Sequence, residues 1–281
     1  MYRSRIDRLL QTALPLLALL AAVIVLMILW FLWFESWPFI ASGDLFNSNT
    51  WHPSENQYNL WPMVLGTLVT AFGAVVLAAP LGLGAALFCR FYAPQPLARI
   101  YRWILELMAG IPSVVYGFWG LVVLVPMIAR WQGPGTSILA GILVLTLMIL
   151  PTASLLAEAA LEKTPEHWIT GAYALGLNRW VMVRHLAIPH AYGGLLNALL
   201  LQAARALGET MAVLMVCGNI AVLPSSLFDP VRTLSANIAL EMAYALDTHR
   251  AALYFSGLLL LLTVLLLVLG AGRLRQEYKH A

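Results

Sequence analysis

The chain is 281 residues long, 61% of them hydrophobic and only 10% charged, with a formal net charge of +3. Soluble domains run at roughly 45–50% apolar and about 25% charged, and a chain of this length has no interior able to hide the excess. A soluble globular domain is thereby excluded, no nucleic-acid partner is expected, and an integral membrane protein remains.

About 20 residues of helix cross the hydrocarbon of a bilayer, so charge-poor runs mark the spans. Six are predicted: Leu9–Phe34, Leu60–Cys89, Trp103–Ile128, Gly135–Ala157, His190–Cys217 and Ala251–Gly272. The first run is too long for a secretory signal and ends in Trp33-Phe34 without a small-residue cleavage site, so it reads as a retained anchor. A polar stretch from Glu35 to Asn59 follows it, with Asp44, Asn47, Asn49 and Glu55. Arg90–Arg102 is a basic, proline-containing loop. Cys89 and Cys217 fall at opposite ends of separate spans, too far apart to bridge, and read as packing residues.

Between the fourth and fifth spans lies a polar, helix-forming insert from Glu166 to Pro189. Thr164 is the expected N-cap, with Pro165 at the first helical position where its missing N–H costs nothing. Gly176 is expected to stop the helix in the left-handed conformation, and Asn178 to cap the next one. The product is a helix–turn–helix knuckle outside the membrane, where a soluble partner could push on the bundle. Gly171-x-x-x-x-Gly176 imitates the start of a phosphate-binding loop. Leu177-Asn178, however, stands where Lys-Ser/Thr is needed, and no strand precedes it. His185 and His190, five apart, lack the spacing of a metal pair, and neither a Gly-x-Ser-x-Gly elbow nor paired catalytic carboxylates is visible. The chain reads as non-catalytic, with no cofactor or metal of its own.

The fifth run carries Arg205 and Glu209. Arg205 lies about 15 residues in, near mid-depth at ~1.5 Å per residue. Arginine there costs at least ~2.5–3.5 kcal/mol, so it should face protein or water. Glu209, four residues on, should share its helical face about one turn farther out. Two readings stay open: an anion pathway in which the glutamate holds the arginine, and a buried ion pair that only fixes packing. Glu106, near the inner end of the third run, reads as structural or interfacial. From Gly218 to Arg250, Asp229-Pro230 suits a helix start. Val231, Leu234, Ile238, Met242 and Ala245 then recur at helical spacing, with Arg232, Asn237 and Glu241 elsewhere on the surface. This predicts an amphipathic helix at the outer face or folded back into the bundle.

Orientation follows from Lys and Arg asymmetry. Arg3, Arg5 and Arg8; Arg90, Arg99 and Arg102; Lys163, Arg179 and Arg184; and Arg273, Arg275 and Lys279 all fall on one side of a six-span topology. Only Arg130, Arg232 and Arg250 fall on the other. Both termini and the knuckle are therefore expected in the cytoplasm.

In the knuckle, Gly176 is followed after nine residues by Leu186-Ala187-Ile188-Pro189. This spacing resembles the cytoplasmic loop by which bacterial ABC importer permeases dock on an ATPase. That family's pattern opens with Glu-Ala-Ala where this chain has Thr170-Gly171-Ala172. A literal Glu158-Ala159-Ala160 lies upstream, without a glycine at the required offset. Gly66-Thr67-Leu68, Ala79-Pro80-Leu81-Gly82, Tyr92-Ala93-Pro94 and the run Glu106–Gly117 resemble phosphate-type permeases. Arg205–Val213, Gly218-Asn219 and Leu227–Leu234 resemble the C-type subunit of that family, PstC.

The resemblance implies an all-α, polytopic protein with six transmembrane helices and a type I ABC importer permease fold. Residues 1–59 would form an anchor and outer loop, 60–272 the permease domain with its knuckle at 158–189, and 273–281 a cytoplasmic tail. The expected function is ATP-driven phosphate import across the bacterial inner membrane by alternating access, with Arg205 and Glu209 on the pathway. Thr170, Gly171, Ala172, Gly176, Leu186, Ile188 and Pro189 would couple to the ATPase. The implied partners are a PstA-like second permease subunit, a PstB-like ATPase dimer that binds the ATP and Mg, and a PstS-like extracytoplasmic phosphate-binding protein. A permease for molybdate, tungstate or sulfate is the alternative within the class. Outside it stand an ATP-independent channel or secondary transporter, against which the knuckle and the lack of a visible internal repeat argue, and a membrane-bound signalling or scaffold protein.

The topology is directly testable. A reporter fused after Lys279 should be active only if it functions in the cytoplasm, and a cysteine at Asn49 should react with an impermeant thiol reagent from outside. Labelling of that cysteine only after the membrane is opened would overturn the six-span reading.

Overall fold

The computed structural model describes the backbone of residues 5–43 and 50–280 and, within those ranges, the side chains of residue 11 and residues 13–270. Arg3, Asp44, Asn47 and Asn49 lie outside the described residues, as do the side chains of Arg5, Arg8, Arg273, Arg275 and Lys279. Every regular element described is helical: α1 Arg5–Ser42, α2 Trp61–Leu87, α3 Gln95–Ala109, α4 Ser113–Trp119, α5 Val125–Ala129, α6 Ile138–Glu162, α7 Glu166–Ala174, α8 Arg179–Met182, α9 Ile188–Gly208, α10 Met211–Val216, α11 Leu234–Glu241 and α12 Asp247–His280. Three π turns, Phe88–Tyr92, Gly120–Leu124 and Val183–Ala187, join consecutive helices or extend them.

Four helical segments are long and apolar enough to span a membrane: Ala13–Ser42, Trp61–Tyr92, Ile138–Glu162 and Asp247–Gly270. The expected third span is not one straight helix. α3 meets α4–α5 at 91°, and only together do they make a fifth span. Pro112 explains the bend, because it has no N–H and disfavours helical geometry at the residue before it. The Tyr116 hydroxyl braces the corner by donating to the Met108 carbonyl at 2.8 Å. The remaining segment, α9, has 21 residues, but His190, Asn197, Gln202 and Arg205 make it less apolar than the others. It ends at Gly208, so the expected fifth span His190–Cys217 is interrupted. α1 runs on to Ser42, taking in residues expected in the outer loop, because Phe39 is buried edge-to-face against Tyr58 and tilted against Phe255.

The core lies where α2, α6 and α9 pack together, and α10 and α4–α5 close one side of it. Ala71, Ala74 and Ala78 of α2 share this core with Ile142, Leu145 and Ile149 of α6. Small residues matter here because helices in lipid associate by close van der Waals packing rather than by the hydrophobic effect. Gly117 is the tightest approach of α4 to α10: a Cβ there would sit 2.8 Å from Ala212 Cα and 3.0 Å from Met215 Sδ. Cys89 and Cys217 are both buried and unbridged, as expected of packing residues.

At the end of the bundle opposite the knuckle, residues 217–241 fold back as a strap. Val231 N–H donates to the Cys217 carbonyl at 2.8 Å, and Asn219 N–H to Val231 at 3.1 Å. The strap also caps α6, whose first N–H groups have no partner inside their own helix. Ile138 N–H donates to the Asp229 carbonyl (3.0 Å), Leu139 N–H to the Leu227 carbonyl (2.9 Å), and Ala140 N–H to the Ser137 hydroxyl (3.2 Å). Asp229 does not start a helix. Its carboxylate accepts from the Ser225 hydroxyl and from the Ser225 and Ser226 N–H groups, which hold it below the usual carboxylate range. α11 starts instead at Leu234, capped by Thr233, while Val231 lies in a bridge with Gly218.

Arg232, Asn237 and Glu241 are not on the surface. They form the centre of a network between strap and bundle. Glu241 accepts from Arg232 (2.6 Å) and Trp51 Nε1 (3.0 Å), and its Oε2 lies 2.8 Å from His249 Nε2. Arg232 also donates to Asn237 Oδ1 at 3.0 Å and to the Asn219 carbonyl at 2.9 Å. Removing one ion of a buried pair costs about 3–5 kcal/mol, because the other is left uncompensated. Glu241→Leu should therefore lower the thermal midpoint of the purified protein sharply, and Arg232→Met with Glu241→Leu should restore most of it. Equal loss in the single and double variants would show that the network is held by Trp51 and Asn219 rather than by the ion pair.

Candidate functional site

The knuckle forms as the local sequence dictates, except at its start. α7 begins at Glu166 with Pro165 as its N-cap residue, and the Thr164 hydroxyl makes no cap; it is buried without a hydrogen-bond partner. α7 closes in a Schellman turn, Leu177 N–H to the Ala172 carbonyl at 3.1 Å and Gly176 N–H to Tyr173 at 3.0 Å. Gly176 takes φ +72°, and no atom lies within 4 Å of where a Cβ would stand, so backbone conformation alone demands glycine. Asn178 caps α8 by accepting the Val181 N–H at 2.8 Å. The following π turn precedes Pro189 in the first turn of α9, widening the helix where the proline ring would press on a carbonyl one turn back.

The expected coupling residues divide by exposure. Thr170, Gly171, Gly176 and Pro189 are exposed, and Leu186 and Ile188 are half-buried. Ala172 is buried, packed with Ala86, Leu161, Met182 and Val183, so it anchors the knuckle to the bundle and does not present itself to a partner. The outward face carries large apolar side chains that the spacing motif did not single out: Leu175 at 80% exposure, Trp180 at 55% and Trp168 at 42%. Glu158, in the literal Glu-Ala-Ala triplet, is buried and takes both Nε (3.2 Å) and Nη2 of Arg102.

Arg205 and Glu209 do not pair. α9 ends at Gly208, and Glu209 is its C-cap with an extended ψ (φ −68°, ψ 131°), so the chain turns after Glu209 and brings backbone N–H groups within reach of its carboxylate. The Glu209 carboxylate instead accepts the Ala212 N–H at 3.3 Å, and its carbonyl accepts the Ser235 hydroxyl at 2.8 Å. Arg205 stands in the last turn of α9 rather than midway along a continuous span, where a cation suits the negative end of the helix dipole. Among the described residues it has no hydrogen bond or ion pair, and Tyr116 of α4 is near enough to feel its charge. It lies on an exposed stripe of α9 formed by Asn197, Leu201, Arg205 and Gly208. The structure adds a polar pair that the sequence reading missed. Gln202, buried, accepts the Thr152 hydroxyl at 2.8 Å on the wall of an otherwise mainly apolar cavity of about 340 Å³ between α2, α6 and α9. A glutamine inside the fifth charge-poor run was the available signal.

A helical bundle with broken third and fifth segments, a strap at one end and a helix–turn–helix knuckle at the other defines a multi-pass membrane transport subunit. Residues 78–276 match the family described as the binding-protein-dependent transport system inner membrane component, and the chain belongs to that family. It is 39% identical over 241 residues to the probable ABC transporter permease protein YqgH of Bacillus subtilis, covering 82% of this chain and 78% of that protein. To the phosphate transport system permease protein PstC of Mesorhizobium japonicum it is 32% identical over 257 residues, covering 83% and 79%. The same fold occurs in a bacterial ABC transporter that imports the acidic polysaccharide alginate, with a TM-score of 0.61 at 16% identity over 98% of this chain and 99% of that one. The chain therefore has the all-α fold of ABC importer permeases.

Proposed function

We propose that this chain is a permease subunit of an ATP-driven importer of inorganic phosphate. Similarity to PstC proteins supports the substrate, and Arg205 is the observation that carries the mechanism. α9 ends inside the fifth apolar run, which α10 continues to Val216, and an unpaired guanidinium at that depth is too costly to face lipid, so it faces a water-filled path or another protein. Its stripe on α9 would line a path shared with a second, PstA-like permease subunit. There the guanidinium offers an oxyanion charge-assisted hydrogen bonds. Glu209 does not neutralise it; its carboxylate holds the helix break beside it. This departs from the expectation that Glu209 holds the arginine.

The knuckle would dock on a PstB-like ATPase dimer, which binds the ATP and Mg, through Leu175, Trp180 and the exposed turn at Gly176. The permease itself is a lever without catalytic chemistry, and a PstS-like binding protein would deliver phosphate to the strap end. Both termini and the knuckle lie in the cytoplasm in this reading, following the basic residues. Pumping needs two arrangements of the bundle, and closure of the ATPases on the knuckles supplies the bias between them.

Phosphate uptake in cells lacking their own permease, with molybdate and sulfate as competitors, tests the substrate. Arg205→Gln should reduce uptake by about 10–100-fold, the equivalent of about 1.5–3 kcal/mol for hydrogen bonds to a charged group. Assembly should persist, since no carboxylate is orphaned, and the stability effects of Arg205→Gln and Glu209→Gln should add within about 0.5 kcal/mol. Near-normal uptake by Arg205→Gln, or stronger competition by molybdate than by phosphate, would sink the reading. For the knuckle, Gly176→Glu should abolish co-purification of the ATPase while the protein still inserts. ATPase recovery at wild-type yield would show that docking lies elsewhere.

A further inference from the structure

The knuckle end holds a second basic feature that transport through Arg205 does not use. A cavity of about 440 Å³ opens between the Phe88–Tyr92 π turn, the start of α3 and the end of α6. Its polar lining is Arg90, Gln95, Arg99, Arg102 and Glu162. Arg102 is already engaged by Glu158, and Glu162 lies 3.9 Å from the same guanidinium. Arg90 and Arg99 have no carboxylate within 4 Å among the described residues. The Arg90 Nε–H is buried with no acceptor. Three arginines face two glutamates here, and the surplus positive charge borders a cavity.

Alongside, α3 turns an apolar face away from the bundle. Leu97, Ile100, Trp103, Ile104 and Leu107 are all exposed, while Arg99 and Arg102 lie on its polar edge. Tryptophan beside arginine on an amphipathic helix is the pattern of a membrane–water interface. Arginine's planar fork matches phosphate oxygens bidentately, so the vacant donors and the missing acceptor have one chemistry in common.

We propose that this cavity binds a phosphate-bearing anion, held by Arg90 and Arg99, at the membrane border of the knuckle end. An anionic phospholipid headgroup, with its acyl chains along the apolar face of α3, and free inorganic phosphate share this chemistry. The site is separate from Arg205, which lies 17 residues beyond the knuckle end of α9, about 26 Å along the helix. The proposal does not depend on which anion is transported.

The test is titration of the full chain, purified in neutral detergent, with phosphatidylglycerol, phosphatidylcholine or sodium phosphate, followed by native mass spectrometry. Phosphatidylglycerol should bind saturably and phosphatidylcholine should not. Arg90→Gln with Arg99→Gln should weaken the binding about tenfold or more. Arg130→Gln plus Arg250→Gln, which removes the same charge at the opposite end, should leave it unchanged. Displacement of the lipid by millimolar phosphate would assign the site to the free anion, and its absence to the headgroup; both support the proposal. Wild-type binding in the Arg90/Arg99 variant, or equal weakening in the Arg130/Arg250 control, would overturn it. Should the double variant fail to fold, the exposed Arg99→Gln alone must still weaken binding, and unchanged binding there overturns the proposal as well. Loss of ATPase co-purification with lipid and phosphate binding intact would overturn it in favour of a protein-docking role.

Discussion

A helix can be interrupted inside an apolar bundle only if the backbone groups it frees find partners, because lipid offers none. This chain is interrupted at Gly110–Pro112 and again at Glu209–Thr210, and the rest of the architecture supplies the missing partners. The first corner is closed by the Tyr116 hydroxyl on the Met108 carbonyl. The second is closed by the Ser235 hydroxyl on the Glu209 carbonyl and by the Glu209 carboxylate on the Ala212 N–H. Ser235 can reach that point only because the strap enters the bundle, where Leu234 N–H donates to the Thr67 hydroxyl of α2 at 2.9 Å. The strap in turn is pinned by the network around Glu241.

These dependencies also decide the partners of the two charges in the broken fifth segment. A continuous helix would have set Arg205 and Glu209 one turn apart on the same face, where each would satisfy the other. Breaking it at Gly208 diverts the carboxylate to a backbone N–H and leaves the guanidinium unpaired on the α9 stripe. One piece of local geometry thus replaces the ion pair that the spacing promises with an unpaired guanidinium. The cost is borne by the strap, whose hydrogen bonds make the break tolerable.

The two ends of the bundle are built on different physics. At the strap end, polar side chains are buried and paired across long stretches of chain, which favours a single arrangement. At the knuckle end, α7 and α8 are held by a small apolar cluster, Ala86, Leu161, Ala172, Met182 and Val183, and offer Leu175 and Trp180 outward. The lever proposed above would use this combination of a rigid root and an open face. Arg102 on Glu158 ties α3 to α6 at the same level, so displacement of the knuckle is placed to reach both the bent third segment and α6.

The amino-acid sequence by itself determined the membrane class, the order of the apolar segments, the left-handed turn at Gly176 and the Asn178 cap. Each of these depends on composition or on chemistry within a few residues, so no distant part of the chain can change it. Tertiary structure decided the rest. Pro112 announces a break but not a 91° corner, whose angle is set by the packing around it. Asp229-Pro230 reads as a helix start, yet competing donors from Ser225 and Ser226 claim the carboxylate, and Thr233 takes over the cap. Ala172 falls among the residues expected to couple to a partner but faces inward, because the rotation of α7 is set by the core beneath it. Arg232, Asn237 and Glu241 look like the polar side of a surface helix. Their burial depends on Trp51, 190 residues from Glu241 in sequence, which no local periodicity could have signalled. The unpaired state of Arg205 belongs to the same category: the four-residue spacing promises a pair, and only the fold reveals that the chain turns after Glu209 and its carboxylate is taken by the Ala212 N–H.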